Sequence, residues 1–178
     1  SAAGEVTVSG RVSSRFLALH VLLAASMLLA AAGSAFAQDT LAKMRAEYAA
    51  ETNPVDKAKI LAKLGSREMT AIRNFSSDGD DEKALAALDQ YRDAVLATTQ
   101  ALAATGIDAA RRSGGFKELQ ISLRMFIRRL DDLILSLQQD VRPSFRAVRS
   151  DLETAQNSLI DALFPVRNPR RSPSASSQ

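Results

Sequence analysis

Cysteine and tryptophan are absent from this chain of 178 residues, and its one histidine, His20, lies within the first 37. From Gln38 onward there is neither imidazole nor thiolate. That excludes Ser-His-Asp and Cys-His catalysis, the ordinary zinc ligand sets, Cys-anchored haem and redox thiols. Di-iron bundles need Glu-x-x-His pairs on two helices and are excluded with them. β-Branched residues are sparse, and no long stretch alternates apolar and polar with period two. Strands are therefore not expected, nor the strand-borne glycine loops that hold phosphates. An enzyme would have to work with carboxylate, lysine, tyrosine or serine alone. The sequence reads as a non-enzyme with no cofactor and no metal site.

An excess of one charge is missing as well. From Gln38 to the end, 21 Lys and Arg stand against 19 Asp and Glu, and stopping at Phe164 leaves 18 against 19. The isoelectric point of about 9.5 therefore arises in the two ends. A nucleic-acid-binding domain needs a basic folded part, so nucleic acid is not an expected partner.

What is present begins with residues 1–37, read as an N-terminal extension and signal peptide. Arg11 and Arg15 precede an uncharged run of 22 residues from Phe16 to Ala37, closed by Gly33-Ser34-Ala35-Phe36-Ala37. A charged start, an apolar stretch and an A-x-A site make the secretory signature. Cleavage after Ala37 releases a periplasmic or secreted chain beginning at Gln38, with no stable membrane insertion. The alternative is retention of residues 16–37 as an inner-membrane anchor, since such a run is long enough to cross a ~30 Å hydrocarbon core.

Residues 38–164 carry helical periodicity throughout. Leu41 to Ala50 allows a short extra helix. Thr52-Asn53-Pro54 offers a capping side chain followed by proline, and Val55, Ala58, Leu61, Ala62, Gly65, Met69 and Ile72 then mark one face to about Phe75. Gly65 costs about 1 kcal/mol of helix propensity relative to Ala, which marks a close-packing point between helices. Ser76 to Asp80 reads as a turn with Asp80 or Asp81 as the next cap. Ala84, Leu88, Tyr91, Val95, Thr98 and Leu102 form the second face, and Gly106 stands where a helix-ending glycine belongs. After a loop to Gly115 comes the most apolar face, with Phe116, Leu119, Leu123, Phe126, Leu130, Ile134 and Leu137 along it. Pro143 opens the last stretch, whose face is Phe145, Val148, Leu152, Ala155, Leu159 and Leu163. The expected fold is all-α: an antiparallel bundle of four long helices in two helical hairpins. Residues 165–178 hold prolines, four serines and three arginines, too little apolar surface to order themselves, and read as a disordered tail.

The charged residues offer few candidate sites. Arg124 and Arg128 make one basic line at helical spacing, and Arg142, Arg146 and Arg149 make another. Facing each other across a hairpin, the two lines could bind a carboxylate or phosphate, although Asp151 and Glu153 are placed to neutralise part of them. Asp131 and Asp132, about 100° apart on a helix, do not converge on a substrate, and Asp132 sits four residues after Arg128, the spacing of a surface pair. Asp78-Gly79-Asp80-Asp81-Glu82 lacks the twelve-residue layout of a calcium loop and fits acids favoured at a helix start. Tyr48 and Tyr91, far apart in sequence, are not paired by any spacing argument.

The run Gly79 to Leu85, followed by Leu88 and Tyr91, resembles the second helix of a tetratricopeptide unit, with Leu64-Gly65 matching part of its companion. The large aromatic of that companion is absent, and expected helices of about 22 to 25 residues exceed those of a 34-residue pair. More broadly, Asn53 to Thr105 is similar to uncharacterised exported helical proteins of bacteria, domains of unknown function. The likeness implies export and a helical fold and brings no catalytic residue. The expectation is an exported non-enzymatic protein whose partner is another protein in the cell envelope. The alternatives are a tetratricopeptide-like adaptor and an anion-binding protein using the arginines of the last two helices.

Overall fold

The computed structural model describes residues 39–165, and from Leu41 onward these belong to one compact unit. The signal-peptide reading and the tail beyond Pro165 lie outside the described residues. Every regular element among the described residues is an α-helix: α1 over residues 39–50, α2 Pro54–Ser77, α3 Asp81–Ala104, α4 Phe116–Ser136 and α5 Arg142–Leu163.

The helix ends follow from local chemistry. Asn53 caps α2, its Oδ1 accepting from Val55 N–H at 2.9 Å and Asp56 N–H at 3.4 Å, and Pro54 occupies the first turn, where a missing N–H costs nothing. Asp80 caps α3, accepting from Lys83 N–H at 3.1 Å and from Lys83 Nζ at 2.6 Å. The chain leaves α3 through Thr105 and Gly106, which has φ 66°. At the start of α4, Glu118 accepts from Gly115 N–H at 2.7 Å. Gly115 has φ 81°, and a Cβ there would lie 2.9 Å from the Val55 carbonyl oxygen. Both facts require glycine.

The Asp80 cap has a pH signature. The Lys83 ammonium, joined by the Lys83 N–H, holds the Asp80 carboxyl below its ordinary 3.8. A carboxyl lowered in the folded state contributes stability that is complete above its unfolded value and is lost as pH falls through the folded one. Asp80→Asn keeps a capping oxygen without the charge, so it is expected to flatten the acid limb of the stability curve. Denaturant midpoints taken between about pH 5 and pH 2 check this.

α2 packs against α3 and α4, and α5 packs against α4 and α3. Gly115 lies against Val55, and Ser122 Oγ donates to the Ala62 carbonyl at 2.7 Å. Further along, Arg73 donates to the Arg129 carbonyl at 3.2 Å. The numbering rises together along both helices, so α2 and α4 run in the same direction. Between α4 and α5 it runs oppositely, as the Arg149–Asp131 and Arg142–Leu137 contacts require.

The apolar stripes of α3, α4 and α5 are buried as periodicity indicates. On α2 the buried set also takes in Leu64 and Glu68, while Val55 and Ala62 are half-buried. Tyr91 and Phe126 stack with ring centroids 4.2 Å apart. Polar contacts tie α1 down. Arg45 grips buried Glu68 with two bonds of 2.6 Å. The Tyr48 hydroxyl donates to the Ala94 carbonyl at 3.1 Å and shares a 2.9 Å bond with the Thr98 hydroxyl. Lys57 Nζ sits 4.7 Å above the Tyr48 ring.

Candidate functional site

A concave groove of about 600 Å³ runs between α2 and α4. Its floor is Gly65, Met69, Ser122 and Phe126, and its walls extend from Lys59 to Met69 on one side and from Glu118 to Arg129 on the other. Small side chains make it concave. Ala62, Gly65 and Ser66 on α2 face Ser122 on α4, and the Ser122–Ala62 bond holds the two backbones together.

Beneath the floor lies Tyr91. A Cβ on Gly65 would stand 2.6 Å from Tyr91 Oη and 3.1 Å from Ser122 Oγ, so the phenol occupies the space that any other residue at 65 needs. Burial pushes the Tyr91 phenol well above its ordinary range; the Glu68 charge pushes the same way and the Ser122 hydroxyl opposes. Tyr91 is thus held in its protonated form.

This contact reverses the usual effect of removing a helical glycine. Ala is better than Gly in a helix by about 1 kcal/mol, yet Gly65→Ala is expected to destabilise by about 1–3 kcal/mol through overpacking. Tyr91→Phe in the same chain is expected to return part of that loss. A double-mutant cycle measures the coupling, and additive effects would show that the hydroxyl is not what opposes the methyl group.

Above the floor the rim is half apolar. Ile121 is 42% exposed and Met125 is 43% exposed, one turn apart on α4. The rim charges differ in how they are engaged. Lys59 is held by Asp56 at 2.8 Å, and Glu118 is drawn to the α4 start. Among the described residues no carboxylate pairs with Lys63 or Arg129.

The arginines singled out in sequence lie elsewhere and have divided roles. Arg149 bonds Asp131 and, at 2.7 Å, Glu153; hydrogen bonding to Asp131 is the main cause that raises its pKa. Arg142 donates to the Leu137 and Leu135 carbonyls at 2.9 and 3.0 Å, closing the end of α4. Arg124, Arg128 and Arg146 are exposed. The register set by Arg149–Asp131 staggers Arg128 and Arg146 by about six residues, about 9 Å along the helices. Asp132 approaches Arg73 of α2 at 3.9 Å and makes no ion pair with Arg128. In the acidic turn, Asp80 caps α3 and Asp81 accepts from the Ser76 hydroxyl at 2.9 Å. Among the described residues no group of three or more His, Cys, Asp or Glu could hold a metal ion.

Sequence reasoning did not find the groove. Its trace was there: Ile121 and Met125 are apolar, four residues apart, and off the stripe that periodicity assigns to the core. No protein family, curated protein or solved structure matches the chain. Among the described residues, no helix is long and apolar enough to cross a membrane.

Proposed function

We propose that this protein is an exported, non-enzymatic helical module that acts by contacting another protein in the cell envelope, with the α2–α4 groove as its contact face. The observation that carries this reading is the pair Ile121 and Met125, half-exposed apolar side chains overhanging a concave apolar floor. Large apolar residues placed together over a concavity mark a binding surface more than scattered ones do. The architecture we read for it is four long helices in two antiparallel hairpins, α2 with α3 and α4 with α5, with α1 as a short extra helix. The contact pattern between these helices supports that arrangement.

Export rests on residues 1–37, and the protein is periplasmic or secreted under this reading. N-terminal sequencing of exported material is expected to begin at Gln38; recovery of full-length chain only from detergent-extracted membranes would point to an anchor at residues 16–37. For the contact role, a photo-crosslinking residue at Met125 in living cells is expected to trap a partner that the same residue at Arg124 or Arg146 does not. Elemental analysis after dialysis is expected to find no stoichiometric metal; one retained equivalent of calcium would overturn the non-metal reading of Asp78 to Glu82.

A tetratricopeptide-like adaptor is the second reading. It is favoured by α2 and α4 running in the same direction, as the first helices of stacked pairs do, and opposed by their lengths of 24 and 21 residues. The anion-binding alternative has less support, since Arg142 and Arg149 are both engaged within the protein.

A further inference from the structure

We infer that the occupant of the α2–α4 groove is an amphipathic helix of a partner protein, apolar along one face and flanked by acidic residues on both sides. This rests on the contact-module reading and adds the chemistry of the partner. The groove runs from Lys59 to Met69 along α2, ten residue steps or about 15 Å, which matches about three turns of a bound helix. Two helical walls running the same way leave a trough that accepts the side-chain ridge of a third helix. Apolar anchors spaced at i, i+3 or i+4, and i+7 would meet this floor. Met69 and Met125, floor and rim, have the adaptable side chains suited to such a surface.

Charge selects among possible occupants. Lys63 stands on one wall and Arg129 on the other, neither paired with a carboxylate among the described residues. The Ser122–Ala62 bond puts Arg129 level with Met69, about six residues, or about 9 Å, from Lys63 along the groove. A single carboxylate or phosphate headgroup does not reach both cations, so an acyl lipid leaves one unmet. A helix carrying Asp or Glu on opposite flanks, almost two turns apart, meets both. A second copy of this chain would bring another Lys63 and Arg129 to the groove, with its Glu118 already bonded to Gly115 N–H, and residues 166–178 offer three arginines and no acidic side chain.

The test uses the exported protein as bait for a phage-displayed library of randomised 14-residue helices. Enriched sequences are expected to carry apolar anchors along one face and Asp or Glu on both flanks. A synthesised representative should lose at least about tenfold in affinity to Met125→Glu, a half-exposed position whose folding is checked by circular dichroism. Lys63→Glu with Arg129→Glu should weaken the acidic peptide about tenfold and favour a peptide with Lys on the flanks, as a charge-matched contact requires. Four results would overturn the inference: no enrichment, basic or non-helical winners, enrichment that survives Met125→Glu, or dodecanoate binding that Met125→Glu abolishes while no peptide binds. Self-association lost in Met125→Glu would replace the partner with a second copy. Partner capture in cells from another face, with none from Met125, would remove the groove and keep the protein-contact reading.

Discussion

Leu130→Ala is expected to lower the free energy of unfolding by about 2–5 kcal/mol. That is a large share of the ~5–15 kcal/mol that holds a domain of this size together. Leu130 has no exposed surface, and it lies on α4, the helix that touches both α2 and α5. α2 and α5 each also pack against α3, which limits how far they can move in to fill a cavity left in α4. Leu123 and Leu152, also without exposed surface, should behave alike. Leu135, 72% exposed, is the control, and its truncation should shift stability by no more than about 0.5 kcal/mol. Urea midpoints with unchanged m-values measure all four. An unshifted midpoint for Leu130→Ala would reject this packing.

Arg45→Ala should be the most damaging change at any charged residue, at about 2–3 kcal/mol. The pair it breaks is lopsided: the Arg45 side chain is 42% exposed and that of Glu68 only 4%. Removing the arginine strands a carboxylate in the core, while removing the glutamate leaves a guanidinium that water already reaches. That water puts the cost below the ~3–5 kcal/mol of a fully buried pair. The hydrogen bond to Glu68 raises the Arg45 pKa, so the guanidinium stays charged at any working pH. Glu68→Leu alone should therefore cost less than Arg45→Ala, and adding it to Arg45→Ala should recover most of the loss. Amide exchange would localise the effect, since residues 41–50 should exchange faster in Arg45→Ala. Equal costs for the two single changes would show that water reaches Glu68 as freely as Arg45.

Much of this fold was legible as periodicity, because burial on a helix repeats every three to four residues and α3, α4 and α5 keep that repeat without a break. Asn53-Pro54 and the choice of Asp80 or Asp81 were legible for a different reason: capping is a contact between residues two or three apart, so its partners are written side by side, and the structure selects Asp80. Glu68 was not legible, because a buried acid looks like a surface acid until its partner is known. That partner, Arg45, stands 23 positions earlier on a helix whose apolar pattern is thin. Tyr48 was missed similarly, since its bonds run to Ala94 and Thr98 across α3. The groove is a property of two helices together. Gly65 reads alone as a close-packing point between helices, and becomes part of a floor only once Ser122 and Phe126 lie opposite. The engagement of Arg142 and Arg149 was not legible, because helical spacing places side chains on a face but says nothing of which carbonyl or carboxylate waits there.

The same-direction pairing of α2 and α4 has a kinetic consequence. Three residues join α2 to α3 and five join α4 to α5, so each of these pairs can zip from its turn outward with little chain to restrain. The Ser122–Ala62 contact closes 60 residues. Each doubling of loop length adds about 0.6 kcal/mol of closure entropy, so this interface forms at a disadvantage of about four doublings, roughly 2–2.6 kcal/mol, relative to the turns. Local pairs therefore form ahead of their docking. The α2–α4 interface, on which the groove is built, is expected to form after the two turns have closed.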